Sequence, residues 1–331
     1  MKAVIPVAGV GSRLRPHTYT QPKPLIPVAG KPIIAFIIDK LLEAGIKEFV
    51  FIIGYLGEKI QHYVEQQYPT LEKEFVVQHE REGLGHAIWT ARKTFRNTEE
   101  IFIVLGDIIF EADLKEMLRQ PTSCLGVKKV EDPREFGVVE FDEIGMVKKV
   151  EEKPKIPMSD MAIVGLYKIK EVQTLVDCID ENIRLDRRTN GEIQLTDGLM
   201  CMLNRGIKFS TYRINNWFDC GRKGILLETN AMLLDKNNLQ SIDIPEYENT
   251  IIIHPVSIGE GCTIKNSIIG PYATIGSNAI ITAAIVKNSI IGSYAELNEV
   301  VLHNSVIGSD TSVKGLSQSL NIGDNTEIDF R

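Results

Sequence analysis

Two glycines and two basic residues lie close together near the start of the chain, directly after an apolar run over residues 3–8. Gly9 and Gly11 allow the backbone to approach a bulky ligand and to present free N–H groups to it, which suits phosphate. Arg13 and Lys23 add cations that can grip a triphosphate. The segment therefore predicts a phosphate-binding loop after a first strand, although a glycine turn beside two unrelated cations would look similar.

Two well-known phosphate-binding loops do not fit this segment. A dinucleotide fingerprint needs a third glycine at the position of Leu14, and a Walker A loop needs Gly-Lys-Ser/Thr, which is absent from the segment. The loop is therefore expected to bind phosphate in another structural context.

A carboxylate follows another apolar run, over residues 101–105, at Asp107. An aspartate at the end of a strand is either a turn residue or helix cap, or a ligand for a hard cation such as Mg²⁺. Ligands of parallel α/β sheets bind beyond the carboxyl ends of the strands. We therefore expect Asp107 and the loop over residues 9–15 to meet at one sheet edge.

The first two-thirds of the chain alternate strand and helix patterns. Pro32 is expected at the first position of a helix that stops before Gly45. The predicted elements are a strand over 3–8, helices over 33–43, 57–67 and 84–95, and strands over 48–53, 74–78 and 101–105. This alternation predicts an α/β domain with a Rossmann-like, mainly parallel sheet covered on both faces.

The C-terminal part repeats itself. Asn-Ser-Ile-Ile-Gly occurs at 266–270 and 288–292 and Asn-Ser-Val-Ile-Gly at 304–308, and aliphatic residues recur at steps of six with occasional fives. Six-residue steps are typical of a parallel β-helix, whereas a β-sandwich would alternate at period two. The sequence thus predicts an α/β domain over 1–235, a linker over 236–249 and a parallel β-helix over 250–331.

Composition excludes some partners. The net charge of −7 over 331 residues argues against nucleic acid or an anionic membrane as a partner, and no run approaches the roughly 20 apolar residues of a membrane span. The five cysteines form no C-x-x-C pair, so reduced and mostly buried thiols are expected. We therefore expect a soluble cytoplasmic protein.

Several motifs together resemble one enzyme family. The string over 9–16, followed by Pro-Lys-Pro-Leu-Ile-Pro at 22–27 and Lys-Pro at 31–32, is similar to the signature of sugar-1-phosphate nucleotidyltransferases. Leu105-Gly106-Asp107 resembles the family's metal-binding motif, and residues 217–221 resemble its W-x-D-x-G motif. The family often carries an appended left-handed hexapeptide-repeat domain, so the resemblance implies a nucleotidyltransferase domain over 1–235 and a left-handed β-helix over 250–331. The resemblance implies attack by a sugar-1-phosphate on the α-phosphate of a nucleoside triphosphate, with release of pyrophosphate and with Mg²⁺ as cofactor.

The resemblance also implies roles for individual residues. The expected catalytic residues are Arg13, Lys23, Asp107, Lys153 and Asp219, and the expected metal ligands are Asp107 and Asp219. The expected nucleotide-binding residues are Ala8, Gly9, Gly11, Ser12, Arg13, Lys23, Gln78, Gly83 and Asp107. The expected sugar-phosphate-binding residues are Gly137, Glu152, Lys153, Gly165, Tyr167 and Glu192. Residues 191–197 resemble the family's G-E-x-x-x-T-D motif, within which Glu192 is expected to bind sugar hydroxyls and Asp197 to cap a helix.

The motifs define the two substrates less closely than they define the class of enzyme. Gln78 offers an amide that can read a pyrimidine edge, and its spacing to Gly83-Leu84 resembles that of glucose-1-phosphate thymidylyltransferases. Gly85-His86-Ala87 and the short first loop resemble bacterial UTP–glucose enzymes instead. The predicted pair is dTTP with glucose-1-phosphate; the alternatives are UTP with glucose-1-phosphate and GTP with mannose-1-phosphate. His86 is expected to be structural or to stack on the base, because the reaction needs no general base.

Other classes remain to be compared with this one. A non-catalytic, ligand-sensing subunit would be expected to lose a metal carboxylate or the loop arginine, and this chain keeps both kinds of residue. An acyltransferase activity of the repeats would need a cleft histidine, for which His254 and His303 are the candidates. The simpler expectation is that the repeats are structural and assemble a homo-oligomer.

Overall fold

The computed structural model describes residues 1–236 and 245–315. It contains one compact unit over Met1–Thr229 and a second that begins at Asn230. The division falls inside the last helix, slightly before the predicted domain end at residue 235. Most of the predicted linker, residues 237–244, lies outside the described residues. In the described ranges, no helix is long and apolar enough to cross a membrane.

The first unit is built from thirteen strands and seven helices, the last of which continues into the second unit. The strands are β1 (Lys2–Val7), β2 (Pro27–Val28), β3 (Lys31–Pro32), β4 (Glu48–Ile53), β5 (Glu72–Val77), β6 (Ile101–Val104), β7 (Ile108–Glu111), β8 (Ser123–Lys129), β9 (Gly137–Phe141), β10 (Val147–Glu152), β11 (Met161–Ile169), β12 (Phe209–Arg213) and β13 (Asn216–Asp219). The helices are α1 (Ile33–Glu43), α2 (Gly57–Gln67), α3 (Leu84–Thr90), α4 (Leu114–Leu118), α5 (Val172–Arg184), α6 (Leu195–Asn204) and α7 (Lys223–Lys236).

Most predicted elements are present, with differences at their ends. The bounds of α1, β4 and α2 agree with the prediction. Pro32 lies just before α1 in an extended conformation, not at its first position. The predicted helix over 84–95 ends at Thr90 and continues as a 3₁₀ turn over Ala91–Phe95. The hydroxyls of Thr90 and Thr94 donate to the carbonyl oxygens of His86 and Ala91, and such bonds compete with the regular helical ladder.

The main sheet explains where a ligand can bind. Its strand order is β10-β9-β11-β6-β1-β4-β5, and β6, β1, β4 and β5 are parallel. Because β4 and β6 flank β1 on opposite sides, a crevice opens at the carboxyl ends of β1 and β6. The loop over residues 9–15 and Asp107 follow these two strands. The predicted Rossmann-like fold class is confirmed.

The other half of the sheet is mostly antiparallel, with one parallel pair between β8 and β12. Strand β11 pairs antiparallel with β6, β8 and β9, and β9 pairs antiparallel with β10. These pairings bring three of the predicted sugar-side residues to the same part of the unit: Gly137 on β9, Glu152 at the end of β10 and Gly165 on β11.

Two cysteines correct the expectation of reduced thiols throughout. Cys178 on α5 and Cys201 on α6 form a disulfide, with their Cα atoms 5.7 Å apart. The packing of the two helices brings together sulfurs that are 23 residues apart in sequence, a proximity that spacing alone does not reveal. Cys124 and Cys220 are free and buried, as expected.

The second unit contains short strands in three parallel sheets, the β-helix architecture that the repeats predict and that the family resemblance implies to be left-handed. Its strands are β14 (Ile251–Ile252), β15 (Val256–Ile258), β16 (Thr263–Lys265), β17 (Ile268–Ile269), β18 (Ala273–Ile275), β19 (Ile280–Thr282), β20 (Ile285–Lys287), β21 (Ile290–Ile291), β22 (Glu296–Asn298), β23 (Val301–His303), β24 (Val306–Ile307) and β25 (Ser312–Lys314).

The repeated Asn-Ser-Ile-Ile-Gly segments have a physical basis in the coils. Asn288 adopts a left-handed φ of 44°, which asparagine tolerates better than most residues. The buried hydroxyl of Ser289 accepts a hydrogen bond of 3.0 Å from the backbone N–H of Ser305 in the next coil. Ile291 lies in the apolar core, and a Cβ on Gly292 would come within 2.4 Å of the backbone of Ser309. Each residue type thus fits one position of the coil.

Candidate active site

Two neighbouring cavities open at the crevice of the first unit, with volumes of about 670 Å³ and 700 Å³. They share the side chains of Arg13, Asp107, Glu152, Lys153 and Glu192 among their lining residues. The first, here called the loop cavity, also contains the remaining residues of the predicted nucleotide set: Ala8, Gly9, Gly11, Ser12, Lys23, Gln78 and Gly83. The second, here called the strand cavity, also contains Gly137, Gly165, Tyr167 and Asp219. All predicted site residues therefore line one or both cavities.

The two glycines of the first loop serve different purposes. A Cβ on Gly9 would meet no atom within 4 Å, so this position leaves open space beside the cavity. Gly11 has a left-handed φ of 62°, and a Cβ there would come within 2.9 Å of the Thr18 side chain. The Thr18 hydroxyl also donates to the Gly11 carbonyl oxygen at 2.9 Å, which fixes the turn.

A buried ammonium joins the two predicted metal carboxylates. Lys23 Nζ lies 2.6 Å from an oxygen of Asp107 and 3.2 Å from an oxygen of Asp219, and its side chain is only 7% exposed. Burial opposes the charge on Lys23, but the two carboxylates outweigh burial and raise the pKa of this lysine. Arg13 binds the second oxygen of Asp219 at 3.2 Å. Two cations and two carboxylates thus form one network at the crevice.

The backbone sets the distance between these carboxylates. Strand β13 pairs antiparallel with β7, which places Asp219 opposite Ile108, and the N–H of Cys220 donates to the carbonyl oxygen of Asp107 at 3.1 Å. Gly221 then packs beneath Arg13, where a Cβ would come within 2.7 Å of the guanidinium. Gly221, the glycine of the W-x-D-x-G pattern, therefore leaves room for the Arg13 guanidinium.

On the strand-cavity side, Glu152 is held in a mostly buried position. Thr196 donates to one Glu152 oxygen at 3.1 Å, and the Glu152 side chain is 13% exposed. Burial raises the pKa of this carboxyl against the opposing effect of Lys153. A Cβ on Gly137 would come within 3.2 Å of Glu152 and 3.0 Å of Thr196, so Gly137 makes room for this pair.

Lys153 carries backbone strain. Its φ is 45°, a left-handed conformation that is costly for lysine, while its half-exposed ammonium lies 3.7 Å from Glu152. Strain of this kind is common at binding sites, where surrounding structure holds a side chain in a required direction. The proline at position 154 favours an extended backbone for the preceding residue, so it does not account for the left-handed conformation of Lys153.

The structure gives Gly165 and Asp197 local roles that were not predicted from the sequence. Gly165 has a φ of 84°, and the side chain of Leu105 fills the space that a Cβ would need, at 2.8 Å. Helix α6 begins at Leu195, so Asp197 lies inside its first turn and does not cap it. One Asp197 oxygen accepts a hydrogen bond from Thr189 at 3.1 Å, while the other is buried without a partner among the described residues.

Gly83 packs against the segment that carries Glu192. A Cβ on Gly83 would come within 2.7 Å of the Ile193 carbonyl oxygen, and that oxygen accepts a hydrogen bond of 2.8 Å from the N–H of Gly85. The N–H of Ile193 in turn donates to the Glu82 carbonyl oxygen at 2.7 Å. Backbone hydrogen bonds therefore hold the segment that follows Gln78 against the segment that carries Glu192.

Sequence reasoning missed several residues of the cavities. Gln194 donates to a Glu192 oxygen at 3.0 Å and lines both cavities, and Thr196 holds Glu152. Both lie inside the G-E-x-x-x-T-D pattern, so the pattern itself was the available signal. Arg81 lines the loop cavity and Arg222, paired with Glu135 at 2.6 Å, lines the strand cavity. No sequence pattern distinguishes these two arginines from surface residues.

Comparison with known proteins agrees with this geometry. The family model described as "Nucleotidyl transferase" matches residues 2–236, and the chain therefore belongs to the nucleotidyl transferase family. It is 38% identical over 266 residues to the bifunctional protein GlmU of Methanocaldococcus jannaschii, which covers 79% of this chain. The chain spans 61% of the length of that relative.

Two further similarities extend the comparison. A glucose-1-phosphate thymidylyltransferase of Streptomyces antibioticus is 28% identical over 366 residues, covering 100% of both chains. A crystal structure of a UDP-glucose pyrophosphorylase complexed with UDP-glucose superposes with a TM-score of 0.63 at 26% identity, covering 71% of this chain and 98% of the other. The predicted family resemblance is confirmed.

Burial of the Glu152 carboxylate predicts that its charge lowers the stability of the folded protein at neutral pH. Because its pKa is raised in the folded protein, the native state binds a proton here more tightly than the unfolded chain, and stability is lost as pH rises from about 4.5 through the raised value. Glu152→Gln should therefore raise the melting temperature at pH 7, and this gain should shrink as the pH falls below 4.5. Circular dichroism melts at both pH values measure the effect.

The neighbouring Glu151→Gln is the matched control, since the Glu151 side chain is 44% exposed and bonds to Lys149. Its melting temperature should not show the same pH-dependent gain. A Glu152→Gln protein no more stable than wild type at pH 7 would contradict the assignment of an unfavourable buried charge.

Proposed function

We propose that this protein transfers a nucleotidyl group from a nucleoside triphosphate to a sugar-1-phosphate. The observation that carries the proposal is the network in which Lys23 joins Asp107 and Asp219 beside Arg13, at the carboxyl ends of β1 and β6. An oxygen of the sugar phosphate forms a bond to the α-phosphorus while the bond to the leaving pyrophosphate breaks. This nucleophile is already an anion, so alignment and charge neutralisation supply the catalysis.

The cations of the site divide between the two substrates in this proposal. Arg13 faces the triphosphate from the loop over residues 9–15, and Lys23 faces it from the 3₁₀ turn over Lys23–Leu25. Lys153, directly after β10, binds the sugar phosphate. Lys153 lies beside Glu152, whose carboxylate accepts hydrogen bonds from sugar hydroxyls together with Glu192. Support comes from the cavities, which share Lys153, Glu152 and Glu192 and so would place a sugar phosphate next to a nucleotide.

The two carboxylates suit a hard divalent cation. Asp107 and Asp219 already converge on one cationic group, the Lys23 ammonium, and they offer the oxygen ligands that Mg²⁺ prefers. In the described part of the chain no cluster of three or more His, Cys, Asp or Glu side chains forms a further metal site. Two protein carboxylates with phosphate oxygens and water match the usual coordination of Mg²⁺. When bound, the ion neutralises charge on the phosphates.

The proposed substrates are a pyrimidine nucleoside triphosphate and a glucose-type sugar-1-phosphate. Likeness over both full chains to a glucose-1-phosphate thymidylyltransferase supports dTTP with glucose-1-phosphate. Likeness to a structure containing UDP-glucose supports UTP as the alternative. GTP with mannose-1-phosphate is retained only for comparison in the assay.

A matrix of triphosphates and sugar-1-phosphates tests the function. Pyrophosphate release should require both substrates and a divalent cation, and it should be fastest with dTTP or UTP and glucose-1-phosphate. A folded protein that binds these ligands without releasing pyrophosphate would support a ligand-sensing subunit instead. Retention of Arg13, Lys23, Asp107, Lys153 and Asp219 favours the enzyme.

The carboxylates provide the sharper mutational test. Asp107→Asn and Asp219→Asn keep side-chain size and remove charge, so turnover should fall by about 100-fold or more, the scale of losing one key electrostatic group. Glu111→Gln, near the far end of β7, is the control and should retain activity. Near-wild-type turnover of either aspartate variant at saturating Mg²⁺ would contradict the metal assignment.

The repeat unit carries an exposed aliphatic ladder that suits self-association. Ile251, Ile268, Ile285 and Val301 stand in register on neighbouring strands, and Ile251 and Val301 are 60% and 70% exposed. The sheet containing β18 is covered, since Thr274 is buried and donates to Asn230 on α7 at 2.7 Å. We propose that a second copy of the chain covers the ladder, because pairing two such ladders buries exposed apolar surface.

The third sheet supplies a matched control for this assembly. Ile285 and Ile280 are 41% and 46% exposed on different sheets, and only Ile285 belongs to the ladder. Ile285→Lys should lower the mass measured by light scattering, whereas Ile280→Lys should not. A monomeric wild-type protein, or equal masses for both variants, would contradict the proposal. His254 and His303 are both exposed on the short repeat, which gives an acyltransferase cleft no structural support.

A further inference from the structure

The side chain of Gln78 is almost completely buried at the edge of the loop cavity, with 5% of its surface exposed. An amide at such a position can present either its oxygen or its nitrogen to a bound base, and the two choices favour opposite hydrogen-bonding patterns. The groups around the amide therefore decide what it can recognise.

Two neighbours orient the amide. Gln78 Nε2 lies 3.3 Å from the carbonyl oxygen of Gly83, which can only accept, and 3.1 Å from Nδ1 of His86. With the amide nitrogen facing Gly83, Nδ1 of His86 must be the unprotonated nitrogen, because two donors would otherwise face each other. The proton of a neutral imidazole then lies on Nε2.

A carboxylate favours the same tautomer. Nε2 of His86 faces Glu82 at 3.9 Å, and Arg188 holds Glu82 from its other oxygen at 3.0 Å. The His86 ring is further fixed by stacking on Trp89, with ring centroids 5.8 Å apart. The contacts of Glu82, His86 and Gly83 thus all favour the same orientation of the Gln78 amide.

This orientation leaves Oε1 of Gln78 free to accept a hydrogen bond. Within residues 1–236 and 245–315, no protein donor is found for this oxygen. Uracil and thymine present an N3–H donor on their pairing edge, whereas cytosine presents an unprotonated N3 at the same place. An acceptor at this position matches the first two bases and repels the third.

We propose that His86 is a specificity-determining positioning residue, which fixes the Gln78 amide so that its oxygen selects bases carrying an N3–H donor. The proposal rests on the proposed function, in that the loop cavity must bind a nucleoside triphosphate. It gives His86 a task that needs neither proton transfer nor contact with the base.

UTP and CTP are the probes, because their bases differ only at positions 3 and 4. Calorimetry on the full chain should show tighter binding of UTP. In His86→Phe, which keeps a ring to stack on Trp89 but lacks the Nδ1 acceptor, the UTP-to-CTP affinity ratio should fall about tenfold or more. In His86→Asn, the amide oxygen can replace Nδ1 as acceptor, and most of the ratio should return.

His79→Phe is the matched control, since His79 is exposed and next to Gln78 in sequence, and its ratio should equal that of wild type. An unchanged ratio in a folded His86→Phe protein would overturn the positioning role. Wild-type protein that binds neither triphosphate would overturn the proposed function instead.

A measurement on wild type does not depend on how well the variants fold. Nitrogen NMR of histidine-labelled protein, with the His86 signals assigned by their loss in His86→Asn, should show the neutral ring protonated at Nε2. Protonation at Nδ1 would overturn the proposal, because that nitrogen could then not accept from Gln78.

Discussion

The ammonium of Lys23 connects segments that are more than 80 and nearly 200 residues away in sequence, at Asp107 and Asp219. Removing a charged lysine from water is costly unless opposite charges compensate it, and here two carboxylates do so at 2.6 Å and 3.2 Å. The same contacts bring the carboxylates toward one point. The interaction that makes a buried lysine tolerable is therefore also the one that gathers the acidic groups of the site.

Close backbone approach is the second constraint on the site. Gly83 and Gly221 allow one segment to lie against another where a Cβ would come within 2.7 Å of a neighbouring atom. Gly83 was expected to contact the nucleotide, and it does line the loop cavity, but its φ of 108° and its contact with Ile193 show a packing requirement as well. A glycine in a motif can thus shape a site by what it packs against as well as by what it leaves open.

The parts of the fold that can be predicted are those in which each element is determined by residues close together in the sequence. Strand β4 and helices α1 and α2 follow from continuous apolar runs, periodic apolar positions and a glycine stop, and the coils of the second unit follow from repeated residue types at fixed positions. The antiparallel strands β9 to β11 and the Cys178–Cys201 disulfide depend on pairings between distant segments, which leave no period in the sequence. The same applies to Arg222, which reaches the strand cavity only because β13 returns beside β7.

Two adjacent residues of the strand cavity lower the stability of this domain. Glu152 is a carboxylate kept mostly out of water, and the next residue, Lys153, holds a left-handed backbone that lysine disfavours. An apolar residue at the first position and a glycine at the second would relieve both costs. Neither would offer an anionic acceptor next to a directed cation, which is the combination that the proposed function requires for the hydroxyls and the phosphate of one sugar phosphate. In the proposed function, Glu152 and Lys153 are adjacent because they orient opposite charges toward one sugar phosphate, and binding of that ligand then requires the loss of stability.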